Sequence, residues 1–361
     1  MTVNTHILKP IIVAMAAFTA AIAPTVGLTS CDSVIYDDMP ECPSGLRIRF
    51  VYDYNMEFAN AFPAQVDCLT LHVYDSEGRL VDTFTETTDV LADEGYRMEV
   101  DLPAGEYQLV AYGGMECEES SFVYTNGTPA KGHLISDRQV SLRPECLTDP
   151  DSRKLHNHFY GDATVTVTGD APELNEVTVK MKRNTNTIRI ILQHLDYTPV
   201  DHADYDFELE DDNTVMAHNN DVVPTGTSVI YSPWSRGNIE IGPQNPRQAD
   251  ARADATDIDP ANSAIAYAEF SVPRLIHGAG TRLRIHANNP DEDPKGDIDL
   301  PIISYLEAAR SEYHSSMPWQ EYLDRENNWQ MTFILDRNNR WLYVDIKVAD
   351  WTVRINNITF D

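Results

Sequence analysis

The chain is 361 residues long, carries a formal net charge of −30 and is 42% hydrophobic. A surface this acidic repels phosphate backbones and anionic headgroups, which excludes nucleic acid as a partner and charge-driven binding to a membrane. The apolar fraction is that of a folded protein, so a largely disordered chain is also excluded. The length suits two ordinary domains or one large all-β domain.

Residues 1–30 have the pattern of a secretory signal. Lys9 is their only residue that carries a full charge, and 11–23 is an apolar run. That run is too short for a comfortable membrane span, which needs about 20 residues. Pro24 and Gly27 then break it. This order predicts that 1–30 is removed on export.

Residues 28–31, Leu-Thr-Ser-Cys, resemble the lipobox of bacterial lipoproteins, in which the Cys thiol is acylated. The resemblance predicts that Cys31 becomes the N-terminus and carries lipid such as palmitate, since several acyl chains hold a protein better than one. An ordinary signal with a chance Cys, or an uncleaved anchor, are the alternatives. The lipidated tether would be 31–45. Its acidic start, 32–38, is similar to the surface-export signal of Bacteroidetes lipoproteins, which predicts a surface-exposed, lipid-anchored protein of the outer membrane.

The remaining four cysteines, Cys42, Cys68, Cys117 and Cys146, all lie in the first half of the predicted mature chain. Four Cys in an exported protein usually form two disulfides. Three connectivities are possible, and the favoured one joins Cys42 to Cys146 and Cys68 to Cys117. A metal site is disfavoured because the spacings match no zinc motif.

Alternating apolar and polar residues predict that 46–146 is an N-terminal β-sandwich domain. Its predicted strands are 46–52, 68–74, 80–84, 96–102, 106–112 and 133–142. Short turns such as 75–78 and 103–105 separate several of them.

Pro144, Asp149 and Pro150 cluster near residue 147, so 147–160 is predicted to be a linker, followed by a C-terminal β-sandwich domain at 161–361. The strands predicted there are 163–168, 177–181, 188–192, 264–272, 282–287, 329–335, 341–348 and 351–360. Two short helices are expected at 301–313 and 319–326, and a long polar loop at 242–262. The fold class is therefore all-β, with one or two short helices near the C-terminus.

Three groups of residues are candidates for catalytic or metal sites, and for each we favour a structural role. Glu208, Glu210, Asp211 and Asp212 could hold a general acid and base, but adjacent acids in so acidic a chain usually form a solvated face. His156 and His158 lie two apart but have no obvious further metal ligand. The acids at 291–293 and 37–38 lack the spacing of a calcium loop. We predict no enzyme activity, no catalytic residue and no cofactor.

Trp319, Trp329, Trp341 and Trp351 suggest the alternative function, a surface glycan-binding lipoprotein, because indole rings could serve as stacking platforms. The competing interpretation is that they are core residues, since they lie beside or within apolar strands. We favour the core.

The chain resembles the FimB-type fimbrium anchoring subunits of Bacteroidales, an anchor family of minor and major fimbria. The segments that carry the resemblance are 42–50 (CPSGLRIRF), 52–55 (YDYN), 62–63 (FP), 66–71 (VDCLTL), 73–75 (VYD) with Gly78, 101–107 (DLPAGEY), 111–114 (AYGG), 322–327 (YLDREN) and 341–351. No one motif is sharp; the ordered set is what resembles the family, over nearly the whole predicted mature chain.

The resemblance implies two tandem transthyretin-like β-sandwich domains and a role at the base of a fimbrium, or pilus, whose length the anchor limits. It also implies that fimbrial stalk subunits are the partners, bound by β-strand addition. Stalk subunits of such a family lose a first strand to an Arg-specific protease, whereas an anchor must keep its lipidated end. Between Cys31 and Gly45 the chain has no Arg or Lys, and the first basic residues are Arg47 and Arg49 in the first predicted strand.

Overall fold

The computed structural model describes residues 46–168, 175–241, 263–288, 297–348 and 351–356. In chain order its strands are β1 Leu46–Val51, β2 Leu69–Asp75, β3 Leu80–Glu86, β4 Met98–Val100, β5 Gly105–Gly113, β6 Phe122–Tyr124, β7 Gln139–Leu142, β8 Phe159–Val167, β9 Asn175–Arg183, β10 Thr185–His194, β11 Tyr205–Asp211, β12 Val215–Ala217, β13 Val229–Tyr231, β14 Ser235–Ile241, β15 Ser263–Pro273, β16 Arg282–Ala287, β17 Ile298–Pro301, β18 Asn328–Leu335, β19 Trp341–Val348 and β20 Trp351–Asn356. Four short helices join them: α1 Phe62–Gln65, α2 Glu145–Thr148, α3 Ile302–Ala308 and α4 Trp319–Arg325.

The strands form four sheets. The seven-stranded sheet has the order β3-β2-β5-β8-β9-β1-β4, and the six-stranded sheet β14-β15-β10-β18-β19-β20. A four-stranded sheet, β13-β11-β16-β17, and a three-stranded sheet, β12-β7-β6, complete the fold. Most neighbours are antiparallel, but β1 runs parallel to β9 and β10 runs parallel to β18. The all-β prediction is confirmed.

Two hydrophobic cores follow from the alternation of side chains along these strands. One face of the seven-stranded sheet, with residues such as Ile48 and Leu71, packs beneath α1 and its flanking loops. Its other face, through residues such as Tyr112, belongs to a larger core that also includes the six- and four-stranded sheets. The larger core therefore contains apolar side chains from strands of both halves of the chain.

The predicted boundary between domains does not coincide with the change of sheet. The predicted linker at 147–160 runs into β8, and β8 and β9 join the seven-stranded sheet by pairing with β5 and β1. Strands of the six-stranded sheet begin only at β10. Residues Cys42–Asp361 form one compact unit, and β12 from the second half completes the three-stranded sheet. Pairing between strands distant in sequence, which local pattern does not encode, places β8 and β9.

Three predicted elements are clearly shorter than expected. The strand predicted at 96–102 is only β4, Met98–Val100. The predicted helix at 301–313 is α3 followed by a separate 3-10 turn at Glu312–His314. The predicted strand at 133–142 is strand only in β7, after a 3-10 turn at Ile135–Asp137. The predicted loop at 242–262 and the end of the last predicted strand lie outside the described residues. Of the helices that are described, none has the length and apolarity to cross a membrane.

Candidate functional site

The strand β1 occupies an interior position in the seven-stranded sheet. It pairs with β9 over its whole length and with β4 over its first three residues. Leu46, Ile48 and Phe50 point into the core and are at most 3% exposed. Arg47 lies on the opposite face, where it forms a 2.9 Å ion pair with Glu99. The segment expected to lead to a lipid is thus connected to a strand held from both sides.

Of the predicted disulfide cysteines, Cys68 and Cys117 form a disulfide. The bond joins the start of β2 to the loop after β5, with a Cα–Cα distance of 6.0 Å, and this predicted pairing is confirmed. Cys146 lies buried in α2 and is not disulfide-bonded within the described part of the chain. Burial raises the pKa of its thiol. Cys42 and Cys31 lie outside the described residues, so the Cys42–Cys146 pairing and lipidation stay predictions.

A polar cleft of about 500 Å³ opens between the segment after β1 and the outer face of the six-stranded sheet. The residues that line it are Tyr52, Asn55, Met56, Glu57, Ala61, Gln65, Arg183, Thr187, Arg189, Glu269, Arg325, Glu326, Asn327, Asn328, Trp329, Gln330 and Lys347. We refer to this set as the cleft. It brings together residues from both ends of the chain.

The inner wall of the cleft contains buried ionisable groups. Glu326 is 6% exposed, and burial raises the pKa of its carboxyl to about 7. Burial also lowers the pKa of the nearby Arg183 guanidinium. The Tyr52 hydroxyl donates a 2.8 Å hydrogen bond to Oδ1 of Asn327, and burial raises the pKa of Tyr52 to about 12. This wall fixes the first sheet to the start of β18.

Arg325 holds the outer wall of the cleft in place. Its guanidinium donates to the backbone oxygens of Asp53 and Asn55, each at 3.3 Å. The same group stacks over the rings of Tyr54 and Phe58, at 4.1 and 4.5 Å from the ring centroids. Phe58 has a left-handed backbone, with φ 54°, and is 56% exposed. An exposed ring on a strained backbone is uncommon and often marks a functional segment.

The two candidate metal ligands, His156 and His158, have separate structural roles. His158 is fully buried, accepts a 3.1 Å hydrogen bond from Nδ2 of Asn184, and has a pKa lowered by burial to about 3, so it is neutral. His156 contacts Asp67 at 3.0 Å. Asp67, His156 and Cys117 do lie close together. The Cys117 sulfur is in the disulfide and cannot act as a thiolate ligand.

The acids considered as a catalytic pair hold local structure. Glu210 forms a 2.6 Å ion pair with Arg284. Burial raises the pKa of Asp211, whose carboxylate accepts from Thr281. Asp212 accepts hydrogen bonds from the backbone of the turn that begins at Thr225. Glu208 lies on the same face of β11 as Glu210 and is paired in register with Arg284 on β16. The candidate calcium ligands at 291–293 and 37–38 lie outside the described residues.

The tryptophans are for the most part packed rather than displayed. Trp329 is 1% exposed and belongs to the larger core. Trp341 packs its ring 5.7 Å from that of Phe333. Trp319 is 38% exposed, but the guanidinium of Arg310 covers its ring at 3.4 Å. Nothing is described for the side chain of Trp351. The described rings therefore favour the core interpretation over a stacking platform.

Sequence reasoning missed the cleft. Its residues are polar, mostly outside recognised motifs, and drawn from segments far apart in the sequence. The only local signal is the pair of segments that carry the family resemblance, 52–55 and 322–327. Arg325, in the second, donates to the backbone of the first. The resemblance in these two segments therefore corresponds to a contact between them.

The described part of the chain is an all-β protein built from four sheets and a few short helices. A model of the family of Fimbrillin-A associated anchor proteins Mfa1 and Mfa2 matches residues 39–357. The chain belongs to this family, which confirms the resemblance inferred from the sequence. Its members are structural proteins, and membership assigns a fimbrium-associated role at the cell surface.

A curated relative is the minor fimbrium anchoring subunit Mfa2 of Porphyromonas gingivalis, 35% identical over 54 residues. This match covers 15% of the chain and only 17% of the length of that relative.

Solved structures agree with the family. A candidate adhesin of Bacteroides thetaiotaomicron is 41% identical, with 88% of this chain and 100% of that chain covered and a TM-score of 0.76. A candidate polysaccharide-binding protein of the same species is 28% identical, with 87% and 99% covered and a TM-score of 0.69. The fimbrial anchor protein Mfa2 of Porphyromonas gingivalis is 13% identical, with 86% and 99% covered and a TM-score of 0.58, and shares the fold.

Proposed function

We propose that this protein is an outer-membrane lipoprotein, held by lipid on Cys31, that anchors a fimbrium to the cell surface and limits its length. Family membership over most of the chain supports the fimbrial role. The proposed lipid supports the anchoring role, because acyl chains on an N-terminal Cys insert into a bilayer.

The observation that carries the proposal is the interior position of β1. An anchor that is tethered through its N-terminus must keep the connection between its lipid and its body. The backbone of β1 is hydrogen-bonded to β9 and β4, and its apolar side chains are buried. Removing this strand would separate β4 from β9 and the rest of the seven-stranded sheet. The protein is therefore suited to keep its first strand.

Stalk subunits are the proposed partners, added as a strand along a free edge of a sheet. The terminal strands of the larger sheets are β3 and β4 in one and β14 and β20 in the other. An added strand would hydrogen-bond to the outward backbone groups of one of these. This mode would leave β1 in place.

Surface glycan binding is a second candidate function. Its support is the cleft rather than the tryptophans. The packed indoles give it little support. The cleft does favour it, because polar side chains of both charge signs converge there, and a similar solved structure is described as a candidate polysaccharide-binding protein.

Replacing the proposed lipidated residue tests the anchor. We expect Cys31→Ala to move the protein from the membrane fraction to the soluble or released fraction, and fimbriae to appear in the medium. Ser33→Ala, two positions on in the same tether, is the matched control and should fractionate like the wild type. Continued membrane fractionation of Cys31→Ala with its lipid label would contradict the proposal, as would cell-bound fimbriae in a strain that lacks the protein.

A further inference from the structure

The floor of the cleft is a row of polar side chains that crosses four strands of the six-stranded sheet. Glu269 on β15 is paired in register with Arg189 on β10. Arg189 is paired with Gln330 on β18, which is paired in turn with Lys347 on β19. Neighbouring strands lie about 4.8 Å apart, so the row is roughly 14 Å long. It is long enough for an extended ligand to lie across the strands.

The charges around the cleft are nearly balanced. Its cations are Arg183, Arg189, Arg325 and Lys347, and its acids are Glu57, Glu269 and Glu326. Arg189 is ion-paired with Glu269, and Arg325 is ion-paired with Glu321 beside the cleft. An anionic ligand would meet the acids, and a cationic ligand would meet the arginines. In a chain with a net charge of −30, this balance is local to the cleft. It favours a polar ligand without net charge.

Two carboxamides lie beside these charges. Asn328 and Gln330 project from β18 on the floor, next to Thr187 on β10. A carboxamide both donates and accepts hydrogen bonds, as does a hydroxyl group. A ligand rich in hydroxyls can therefore use amides, guanidinium groups and carboxylates together, donating to the acids and accepting from the cations.

Three further polar atoms belong to residues of the cleft wall and have no hydrogen-bond partner among the described residues. They are Oε1 of Gln65, Nδ2 of Asn327 and Nε1 of Trp329. A buried polar atom left unpaired costs about 1–3 kcal/mol. Asn327 and Trp329 are 4% and 1% exposed, so these donors lie within the wall. A bound hydroxyl that reaches the carboxamide of Gln65 or Asn327 after a small side-chain rotation would remove part of this cost, whereas Trp329 packs into the larger core.

The rim of the cleft offers an apolar surface. Phe58 lies next to the lining residue Glu57, and Arg325 holds its ring from one side. The ring is 56% exposed on a left-handed backbone. Binding sites for small molecules commonly combine an aromatic surface with a few polar groups that fix orientation. The rim and the floor together provide this combination.

We propose that the cleft binds a short stretch of an uncharged oligosaccharide, with its hydroxyls on the row from Glu269 to Lys347 and an apolar sugar face against Phe58. The proposal rests on the second candidate function, surface glycan binding, and does not depend on lipidation or on fimbrial anchoring. Loss of saccharide binding would leave membrane fractionation unchanged, so the two proposals fail separately.

The test is titration calorimetry of the purified protein with three neutral hexasaccharides, made of α-glucose, β-glucose and mannose units. We expect at least one to bind. The double variant Asn328→Ala with Gln330→Ala should weaken that binding by roughly tenfold, since it removes two hydrogen-bonding side chains. Phe58→Asn should weaken it as well, and Asn tolerates a left-handed backbone, so the loop conformation is kept.

Thr332→Ala is the matched control, because Thr332 lies on the same strand and face as Gln330, two residues further along. It should bind like the wild type, and thermal unfolding should show that all variants remain folded. The absence of binding to any of the three hexasaccharides at millimolar concentration would overturn the proposal. So would unchanged binding by the double variant, or tighter binding at the same residues by hexagalacturonate or an acidic peptide.

Discussion

Arg274 and Asp324 form a bidentate ion pair inside the protein. Nε and Nη2 of Arg274 donate to the two carboxylate oxygens of Asp324, each at 2.7 Å, and the side chains are 10% and 3% exposed. Arg274 also donates to the backbone oxygen of Asn220. The pair connects the end of β15 to α4, the helix that carries Arg325 to the cleft.

Breaking this pair should destabilise the protein strongly. Asp324→Asn leaves the guanidinium of Arg274 buried without a counter-charge, and we expect the free energy of unfolding to fall by about 3–5 kcal/mol. Asp345→Asn is the control, because the Arg354–Asp345 pair has an arginine that is 58% exposed. Its loss should cost at most about 1 kcal/mol. Chemical denaturation measures both; equal losses would contradict the assignment.

Stability should depend on pH through Glu326. Burial raises the pKa of this carboxyl from its ordinary value of 4.5 to about 7. The folded protein therefore favours the protonated form, so the contribution is fully present below pH 4.5 and is lost as the pH rises towards 7. The linkage amounts to roughly 3 kcal/mol.

The variant Glu326→Gln tests this linkage. Its free energy of unfolding should resemble that of the wild type near pH 4.5. Above pH 7 the variant should be the more stable protein. Denaturant titrations at several pH values measure the difference, with Glu57→Gln, at an exposed position on the same cleft, as the control. A wild type and a Glu326→Gln variant with parallel pH profiles would show that the carboxyl is not perturbed.

The Cys68–Cys117 disulfide should contribute to stability by restricting the unfolded chain. The bond closes a sequence separation of 49 residues, for which the chain-entropy model gives about 4 kcal/mol. The double variant Cys68→Ala with Cys117→Ala should lower the free energy of unfolding by an amount of this order. Cys146→Ala is the control, because it removes a buried cysteine that does not belong to this bond. A loss for Cys68/Cys117 no larger than for Cys146→Ala would count against the bond as a stabilising element.

The state of Cys42 and Cys146 is a separate prediction. We expect no free thiol in the purified mature protein, because Cys42 is predicted to pair with Cys146. Mass spectrometry after alkylation in denaturant, without reductant, measures this. One label on Cys146 and one on Cys42 would rule the pairing out. Labelling without denaturant is the control, since Cys146 is buried.

The first strand should resist an Arg-specific protease in the folded protein. Cleavage after Arg47 or Arg49 requires β1 to leave the sheet, and paired backbone is a poor substrate. Arg337, in the turn between β18 and β19, has a 74% exposed side chain and is the internal comparison. We expect cleavage there first, read by N-terminal sequencing of the fragments. An N-terminus at Ile48 or Phe50 in assembled fimbriae would contradict the prediction.

Local sequence pattern predicts many of the described strands but misses others, such as β11 and β14, and it predicts strand partners poorly. The alternation from Leu46 to Phe50 identifies β1 because one face of a strand must be apolar to be buried. That β1 lies beside β9, more than a hundred residues later, depends on long-range packing that no local pattern encodes. The disulfide was one of three possible connectivities until the fold brought Cys68 and Cys117 together. The cleft likewise requires the register of four strands to be known.

The placement of β1 also determines how the molecule bears load. A pull on the chain before Leu46, directed along the strand, stretches all of its hydrogen bonds to β9 and β4 at the same time. These bonds lie across the strand direction, so they are loaded in shear and must fail together. A strand peeled from a sheet edge loses them one after another under a much smaller force. In the lipid-anchored protein that we propose, a fibre dragged by flow would therefore strain the lipidated tether before it unfolds the body that begins at β1.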